Sequence, residues 1–375
     1  MKYVLYRPDE MSEEQWQIYA ALRDARTIYD DPFFDPDFAR LVGEVRADTR
    51  IGFASDRRGV FAVWPMHIRP GNWARPIGSP FSDWNGPILS QDTELLPQEI
   101  LAGFEISGIT TQGYLPVDST RTTELDRVGA NLSDLSDGWD AFYVNQEQRW
   151  PKHFKKMRRV YRNVARDFAE KRFVWDDTSD ASFQRLLDLK QDQFARTGYH
   201  DVLKAPWTRA LFDRLRSFQG PRLRSRVSTL SYDNHLAAAE LNLESDTVLH
   251  GWITAFDQRF SAYSPGNMLV QEVLERMCDD GIKLYDAGPG LDHYKRHYAN
   301  LQVPIELGVI SGNVSQLTPA RMAGHAWRFG EQLMPGKAAT IMARARRRMD
   351  QIASVETSFA GRASGILNAL HHRPI

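Results

Sequence analysis

The spacing of hydrophobic residues changes along this chain and separates several segments. Two stretches with helical spacing, 12–25 and 34–47, precede "RIGFASDRRGVFAVWPMHI", in which two β-rich runs flank a turn and predict a hairpin. The loop "FSDWNGPILS" follows and carries two aromatic residues of the kind expected at exposed positions. The stretch 115–143 is rich in Asp, Ser and Thr and lacks a sustained period, so we interpret it as a bridge into a second unit.

The second unit begins with helical spacing and then changes to the two-residue period of strands. Its predicted helices are 150–171, 181–198 and 206–220, and its predicted strands are 223–232, 235–244, 247–256, 282–288 and 303–310. Beyond residue 315 the chain is predicted to be helical and rich in Arg. We predict an α/β (α+β) protein whose mixed, largely antiparallel sheets are flanked by helices. Its predicted domains are 1–145, 146–314 and a helical extension, 315–375.

Charge and cysteine content exclude several classes of protein. The formal net charge of -1 and the pI near 6.8 exclude an overall basic protein that coats nucleic acid, so no DNA partner is predicted. The single cysteine, Cys278, excludes an intrachain disulfide and a multi-cysteine zinc site, and no metal is predicted. The N-terminal residues lack the apolar core of a signal peptide, and no apolar run is long enough to span a bilayer. These features predict a cytoplasmic protein.

The predicted helix 150–171 has two contrasting faces. One face is apolar, and the other carries the cations Lys152, Lys155, Lys156, Arg158, Arg159, Arg162 and Arg166. A solvated helix face is the favoured interpretation. The alternative is an electrostatic contact with a diphosphate-linked sugar or with the inner face of an anionic membrane, where each cation contributes about 1 kcal/mol.

A second chemical signal is the start of the helix that follows the predicted strand 247–256. Ser264 fits the N-cap, Pro265 fits the first helical position, and Gly266 lets a ligand approach the backbone. Free N–H groups and the helix dipole at such a start suit a diphosphate. Taken alone, this motif favours a plain helix start over a ligand site.

The run "YSPGNMLVQEVLERMCDDGIKLYDAGPGLDHYKRHYAN" resembles the C-terminal signature of the CelD-like GNAT acetyltransferase family of exopolysaccharide biosynthesis, which is related to the Fem aminoacyltransferases. "FFDPDFARL" and "FSDWNGP" resemble the N-terminal half, so the resemblance covers roughly residues 30–310. It implies tandem GNAT-like domains, acetyl-CoA bound in the second half and an acceptor between the halves. By position, the CoA pyrophosphate would contact Ser264, Gly266, Asn267 and Met268. The common loop Arg/Gln-x-x-Gly-x-Gly/Ala is reduced here to Gly266, which leaves the donor open.

In the implied reaction an amine loses a proton and the CoA thiolate gains one. Asp286, at the end of the strand "IKLYDAG", is the first candidate for general base or acceptor anchor, although it could equally cap the glycine turn. Tyr294 is a candidate general acid or a core residue, and Lys295 a phosphate or acceptor contact. His250, Glu240 and His293 are secondary base candidates.

Two further regions are candidates for substrate and regulator. Asp83 and Trp84 could line the acceptor cleft, although a solvent-facing turn explains them nearly as well. Arg344 and Arg348, in "RARRRMD", could grip a cyclic dinucleotide such as cyclic di-GMP, but such patterns are frequent in Arg-rich helices.

The leading hypothesis is an acetyl-CoA-dependent N-acetyltransferase that modifies an amino sugar of an exopolysaccharide, such as a holdfast polysaccharide, or of its lipid-linked precursor. The amine would attack the thioester directly, because the lone Cys278 lies within a predicted helix. The alternatives are a Fem-like transferase that uses aminoacyl-tRNA, and a degenerate GNAT domain that binds a nucleotide without catalysis.

Overall fold

The computed structural model describes residues 1–93, 95–116, 125–290, 295–312 and 337–371. Its strands are β1 (Lys2–Tyr6), β2 (Thr49–Asp56), β3 (Gly59–Arg69), β4 (Trp73–Pro76), β5 (Ile88–Leu89), β6 (Gly108–Tyr114), β7 (Asp126–Asp134), β8 (Lys171–Val174), β9 (Arg224–Tyr232), β10 (His235–Glu244), β11 (Val248–Phe256), β12 (Leu284–Pro289) and β13 (Leu301–Ser311). Its helices are α1 (Glu13–Asp24), α2 (Pro36–Val45), α3 (Pro97–Gly103), α4 (Trp139–Arg149), α5 (Pro151–Asp167), α6 (Asp180–Thr197), α7 (Pro206–Ser217), α8 (Pro265–Asp279), α9 (Lys295–Tyr298), α10 (Lys337–Val355) and α11 (Phe359–His371).

All these strands join in one mixed sheet with the order β1-β2-β3-β4-β6-β13-β7-β12-β11-β10-β9-β8, and β5 pairs with β3. The two flanks have the same design. Each is an antiparallel ladder whose inner end is a single parallel pair, β4 with β6 in the first flank and β11 with β12 in the second. A helix supplies each parallel crossover, α3 and α8, as such connections require. The predicted α/β class with flanking helices is confirmed.

The centre of the sheet exchanges strands between the two flanks. β7 follows the first flank in sequence but pairs with β12 of the second, while β13 follows the second flank but pairs with β6 of the first. β7 and β13 also pair with each other. The predicted boundary between residues 145 and 146 falls within α4. The ladder formed by β7 and β13 joins the two predicted units.

β7 lies in the stretch that the sequence analysis interpreted as a bridge, and that interpretation was wrong. Its residues Ala130, Asn131, Leu132 and Ser133 are buried in succession, which means that both faces of the sheet are covered at this central strand. Apolar Ala130 and Leu132 alternate with polar Asn131 and Ser133, but this alternation covers only a few residues of an otherwise polar stretch and does not form a sustained period.

The predicted helices that fall on described residues are confirmed, and the helical prediction for 315–336 lies outside those residues. Ser12 and Gln15 form a reciprocal capping box at the start of α1. In α5 the apolar face, including Phe154, Met157 and Val164, is buried as predicted. Among the described residues, no helix is both long enough and apolar enough to cross a lipid bilayer.

The C-terminal end of α10 is bound by residues from distant parts of the fold. Arg69 donates to the carbonyls of Ala353 and Glu356, at 2.7 and 3.0 Å, and Trp207 Nε1 donates to Val355 O at 2.9 Å. Cations and N–H donors at this position satisfy carbonyls that the helix itself leaves unpaired. The tail is therefore docked onto the first flank and α7 at this point.

His67, on β3, supports the loop 78–87 that follows β4. It is fully buried, and its Nε2 accepts the N–H of Gly78 at 2.9 Å, which requires a neutral ring. Burial lowers the pKa of His67 to about 4, and the charge of Arg46 adds to this effect. Protonation of His67 would remove the acceptor on which the start of the loop depends.

We expect acid to destabilise the fold through His67. The unfolded chain binds this proton near pH 6.5, whereas the folded chain does so only near pH 4. The free energy of unfolding should thus fall by about 2 kcal/mol from this group between pH 7 and pH 4.5. Denaturant unfolding of the wild type and of His67→Gln at both pH values gives the difference in the free energy of unfolding between the two proteins. This difference should be smaller by about 2 kcal/mol at pH 4.5 than at pH 7. An unchanged difference would contradict the assignment.

Candidate active site

The parallel strands β11 and β12 form a fork at the centre of the second flank. They pair over only three positions, from Val248 with Leu284 to His250 with Asp286, and then diverge. Beyond this point β11 continues along β10, and β12 continues along β7. The β10–β11 register shifts where Leu241 faces Ile253 and Asn242 faces Gly251, which makes Trp252 a bulge residue. Beyond the fork the β11 residues no longer pair with β12.

His250 and Asp286 form the last pair before the fork opens, and both are buried. The His250 ring lies among three carboxylates. Its Nδ1 is 3.4 Å from an oxygen of Asp31 and 3.4 Å from an oxygen of Asp286, and its Nε2 is 3.1 Å from Asp83 Oδ2. The first flank supplies two of these acids and the second flank supplies the third, so the cluster spans the two halves.

Burial alone would lower the pKa of His250, but the charge of Asp286 and the contacts with Asp286, Asp31 and Asp83 raise it well above its ordinary value. A raised pKa favours the protonated ring at neutral pH, in which Nε2–H donates to Asp83 Oδ2 and Nδ1–H lies between Asp31 and Asp286 without forming a hydrogen bond to either. A protonated imidazole cannot accept a proton, so the prediction that His250 is a base is not supported by this geometry. Its chemistry here is that of a donor.

Asp286 is held by donors from two directions. Trp84 Nε1 donates to Oδ2, and the backbone N–H of Gly288 donates to Oδ1 at 2.6 Å. Its side chain is 1% exposed, so it offers little surface to an acceptor. The turn-capping role that the sequence left open is thus observed, together with the contact to His250.

Asp83 is the most accessible acid of the cluster, with 34% of its side chain exposed. Two glycines let its loop approach the sheet. A Cβ on Gly288, whose φ is +73°, would lie 2.5 Å from Asp83 Oδ2, and one on Gly113 would collide with the Asp83 carbonyl. The Lys295 Nζ lies on the same side, 3.9 Å from that Gly288 position, and donates to Pro289 O at 2.9 Å. The structure therefore brings Asp83, Lys295, His250 and Asp286 together.

The two aromatic residues of the 78–87 loop are buried, contrary to the expectation that they are exposed. Trp84 is 5% exposed and Phe81 6%. Trp84 donates to Asp286, and Phe81 O accepts from Trp252 Nε1 at 2.7 Å. Trp84 has no free face for stacking on a sugar; it positions the acid cluster instead.

Glu240 forms a separate buried group beside the fork. It accepts hydrogen bonds from Thr254 Oγ1 at 2.5 Å and from the Tyr285 hydroxyl at 3.0 Å. Burial raises the pKa of Glu240, partly offset by these hydrogen bonds. The Tyr285 ring passes over Gly251 to reach it, where a larger residue would collide.

The start of α8 lies against the far end of β11. A Cβ on Gly266 would meet only Phe256 Cδ1, at 3.8 Å, so the space beside Gly266 is open. Gly266 and Asn267 lie in the first turn, where N–H groups have no partner within the helix, and the buried Asn267 Oδ1 has no hydrogen-bond partner among the described residues. The free N–H groups fit an anionic group such as a diphosphate, whereas the Asn267 amide oxygen is an acceptor and fits a donor group of a ligand. Phe256 is six residues beyond His250, or about 20 Å along the strand, which suits an elongated ligand.

The predicted cap by Ser264 and the predicted ligand contact of Met268 need correction, whereas the ligand contact of Ser264 stays a prediction. Ser264 is the N-cap but adopts φ 46° and makes no side-chain cap hydrogen bond. Met268 is fully buried; its N–H donates to Ser264 O at 3.2 Å and its sulfur accepts from Tyr232. The sequence placed Met268 next to Asn267 but could not show that its side chain faces the core, so it offers no group to a ligand.

Other predicted residues are less constrained. Tyr294 and His293, and the side chain of Arg344, lie outside the described residues. Arg348 is half-buried in α10, and burial lowers the pKa of its guanidinium. Asp350, the acid of the predicted Arg-rich pattern, pairs with Arg75 at 2.5 Å. The seven cations of α5 are exposed on the face opposite its buried residues, so their contact with an anionic surface stays a prediction.

Only one set of described residues has the spacing of a metal site. Asp31, His250 and Asp286 each offer a ligand atom, and these atoms lie within 4.8 Å of one another. A metal ion here would balance the negative charges of Asp31 and Asp286. A proton on His250 Nδ1 has the same effect, because it places one positive charge between the two carboxylates.

Comparison with known proteins bears directly on the fork and the helix beside it. Residues 151–296 match the family model described as an acetyltransferase (GNAT) domain. The chain carries a GNAT-type acyltransferase domain. No curated protein matches the chain. The matched range contains the fork, α8, His250 and Asp286, but it excludes Asp31 and Asp83.

The GNAT-like fold extends beyond the matched domain. A tandem GNAT protein from the clavulanic acid biosynthesis pathway superposes with a TM-score of 0.50 at 9% identity, over 84% of this chain and 99% of that one. The C-terminal domain of a putative lysylphosphatidylglycerol synthetase from Agrobacterium fabrum (TM-score 0.49, 13% identity, 83% and 94%) and FemX (TM-score 0.49, 9% identity, 82% and 96%) are also similar. The predicted tandem GNAT-like fold and acyltransferase class are confirmed.

Sequence reasoning missed Asp31. It precedes Pro32, and its Oδ1 accepts the Phe33 N–H at 3.0 Å, a pattern that predicts a helix cap. Nothing in the sequence indicates that the second oxygen faces His250, more than 200 residues away.

We expect Trp84→Phe to destabilise the protein by about 2–3 kcal/mol, because it removes a donor from the buried Asp286 carboxylate. Trp73→Phe is the matched control. It removes an indole donor from the neutral Thr110 hydroxyl at 2.8 Å and should cost about 1 kcal/mol. Denaturant unfolding of both variants measures the difference, and equal costs would contradict the role assigned to Trp84.

Proposed function

We propose that the protein is an acetyl-CoA-dependent N-acetyltransferase whose acceptor amine binds at Asp83. The observation that carries this proposal is the placement of an accessible carboxylate, backed by the His250 cation, at the fork of a GNAT domain. Acyl-CoA would supply the activated acyl group as a thioester. The residues of this chain would bind the donor, hold the acceptor and take up its proton.

Donor binding is proposed for the open start of α8. The backbone N–H groups of Gly266 and Asn267 would donate to the diphosphate. The fork between β11 and β12 would receive the acyl end, where unpaired β11 backbone groups can polarise a carbonyl. The position of Gly266 against Phe256 supports this direction of binding.

At the acceptor side, Asp83 takes the role that the sequence assigned first to Asp286. Its exposed carboxylate would bind the acceptor ammonium and accept the proton lost as the amide bond forms. The His250 Nε2–H holds Asp83 in place. Lys295 lies beside the same carboxylate position and would contact polar groups of the acceptor. Tyr294, the predicted proton donor to the thiolate, remains a prediction.

The acceptor class rests on the resemblance to exopolysaccharide proteins, and we propose an amino sugar of such a polymer or of its lipid-linked precursor. Control by cyclic di-GMP at Arg344 and Arg348 also remains a prediction, and the ion pair of Asp350 with Arg75 weighs against an acidic contribution to that site.

We expect acetyl-CoA to bind the wild type, and Gly266→Trp to abolish binding without loss of fold, because space beside Gly266 is open. Asp279→Trp, at the exposed far end of α8, is the matched control and should bind normally. Isothermal titration measures each affinity. No binding by the wild type would overturn the proposal and favour aminoacyl-tRNA as donor or a binding-only domain.

Asp83→Asn should lower kcat for acetyl transfer to an amino sugar by about 10²-fold or more, because the amide cannot take up a proton. Cys278→Ser should retain activity, since Cys278 lies on α8 and donates to Leu274 O at 3.4 Å. A release assay for free CoA thiol measures both. Loss of activity in Cys278→Ser would instead indicate a covalent acyl-enzyme.

A further inference from the structure

Asp31 is an acid of the His250 cluster to which the proposed reaction assigns no role. It is buried between α1 and α2, and its Oδ1 is held by the N–H of Phe33. The Phe33 ring packs edge-to-face against the His250 ring, with centroids 4.8 Å apart. This cap and this ring contact leave little freedom for the direction of the second oxygen, Oδ2.

Asp31 Oδ2 makes no hydrogen bond among the described residues, and neither does His250 Nδ1. The two atoms face each other at 3.4 Å, and Asp286 Oδ2 lies at the same distance from Nδ1. A buried carboxylate oxygen without a partner costs free energy unless a positive charge compensates for it. Packing alone would not offset the free energy lost by burying this oxygen. The arrangement therefore indicates that the Asp31 carboxylate interacts with a positive charge on the His250 ring.

We propose that Asp31 is a positioning residue for acyl transfer, which shares the Nδ1 side of His250 with Asp286 and thereby keeps the Nε2–H of that ring directed at Asp83. The effect of Asp31 on acyl transfer rests on the proposed function. The contact between Asp31 and His250 does not. With both carboxylates on one side, the ring has a single orientation in which each nitrogen faces an acid. Asp31 thus acts on the acceptor carboxylate through His250.

Charged groups from several elements surround the His250 ring. Asp31 approaches from the α1–α2 connection, Asp83 from the 78–87 loop and Asp286 from β12. Glu240, on β10, and Lys295 also contribute to the local field. Asp31→Asn removes one charge and leaves those of Asp83, Asp286, Glu240 and Lys295 in place. A change in the His250 midpoint can therefore be assigned to Asp31.

The test is an NMR titration of the His250 ring in the full chain, without substrates, assigned by comparison with His250→Gln. In the wild type both ring nitrogens should carry protons at pH 7. Asp31→Asn should lower the His250 midpoint by about one pH unit or more, because it removes a neighbouring negative charge. Asp31→Glu should restore most of the shift. Asp30→Asn is the matched control and should leave the His250 midpoint unchanged. The Asp30 carboxylate accepts a hydrogen bond from Thr247 Oγ1, and the Asp30 backbone carbonyl accepts one from Arg23.

A wild-type His250 that titrates near 6.5, or an Asp31→Asn midpoint equal to that of the wild type, would overturn the proposal. Stoichiometric metal in the purified protein with Nδ1 coordinated would also overturn it. If Asp31→Asn fails to fold, the wild-type titration and Asp31→Glu decide the question. The pH profile of kcat/KM should shift in Asp31→Asn by the same amount as the NMR midpoint. An NMR shift without any acetyl transfer would refute the proposed function while leaving the positioning role intact.

Discussion

The contact of one buried imidazole with three carboxylates is the constraint on which the candidate active site depends. His250 lies on β11, and its partners come from the α1–α2 connection, the 78–87 loop and β12. Removing one partner of such a buried ionic group typically costs about 3–5 kcal/mol, because the remaining charge is left uncompensated. The cluster can form only when the two flanks of the sheet are correctly placed, so it couples the geometry of both halves to a single ring.

The sheet explains how that placement is achieved. Each flank ends in a short parallel pair that opens into a fork, and the exchanged strands β7 and β13 lie between the two forks. The forks differ in what faces them. Beside β4 and β6, Asp350 of α10 contacts both Arg75 and Gln112 and bridges the strands. Beside β11 and β12, the start of α8 is open at Gly266. This difference supports a donor site in the second half alone.

The matched GNAT domain is chemically incomplete without the first flank. Residues 151–296 contain the fork and the helix start, but Asp31 and Asp83 lie outside that range. Trp84, also outside it, supplies the indole donor to Asp286. The His250 cluster is therefore built from both flanks and is not formed by the matched range alone.

The sequence by itself determined the helices with apolar faces, the hairpin and the meander, because their periods of 3.6 and 2 are local properties. It also identified Asp83, His250, Asp286 and Gly266 as candidates, through turns and strand ends that mark functional positions.

Only the tertiary structure decided that β7 is a central strand, that Trp84 is buried, that Asp83 is more exposed than Asp286, and that Asp31 faces His250. These features depend on contacts between residues far apart in sequence. Burial and protonation follow from the neighbours that a side chain meets after folding, and no local pattern encodes them.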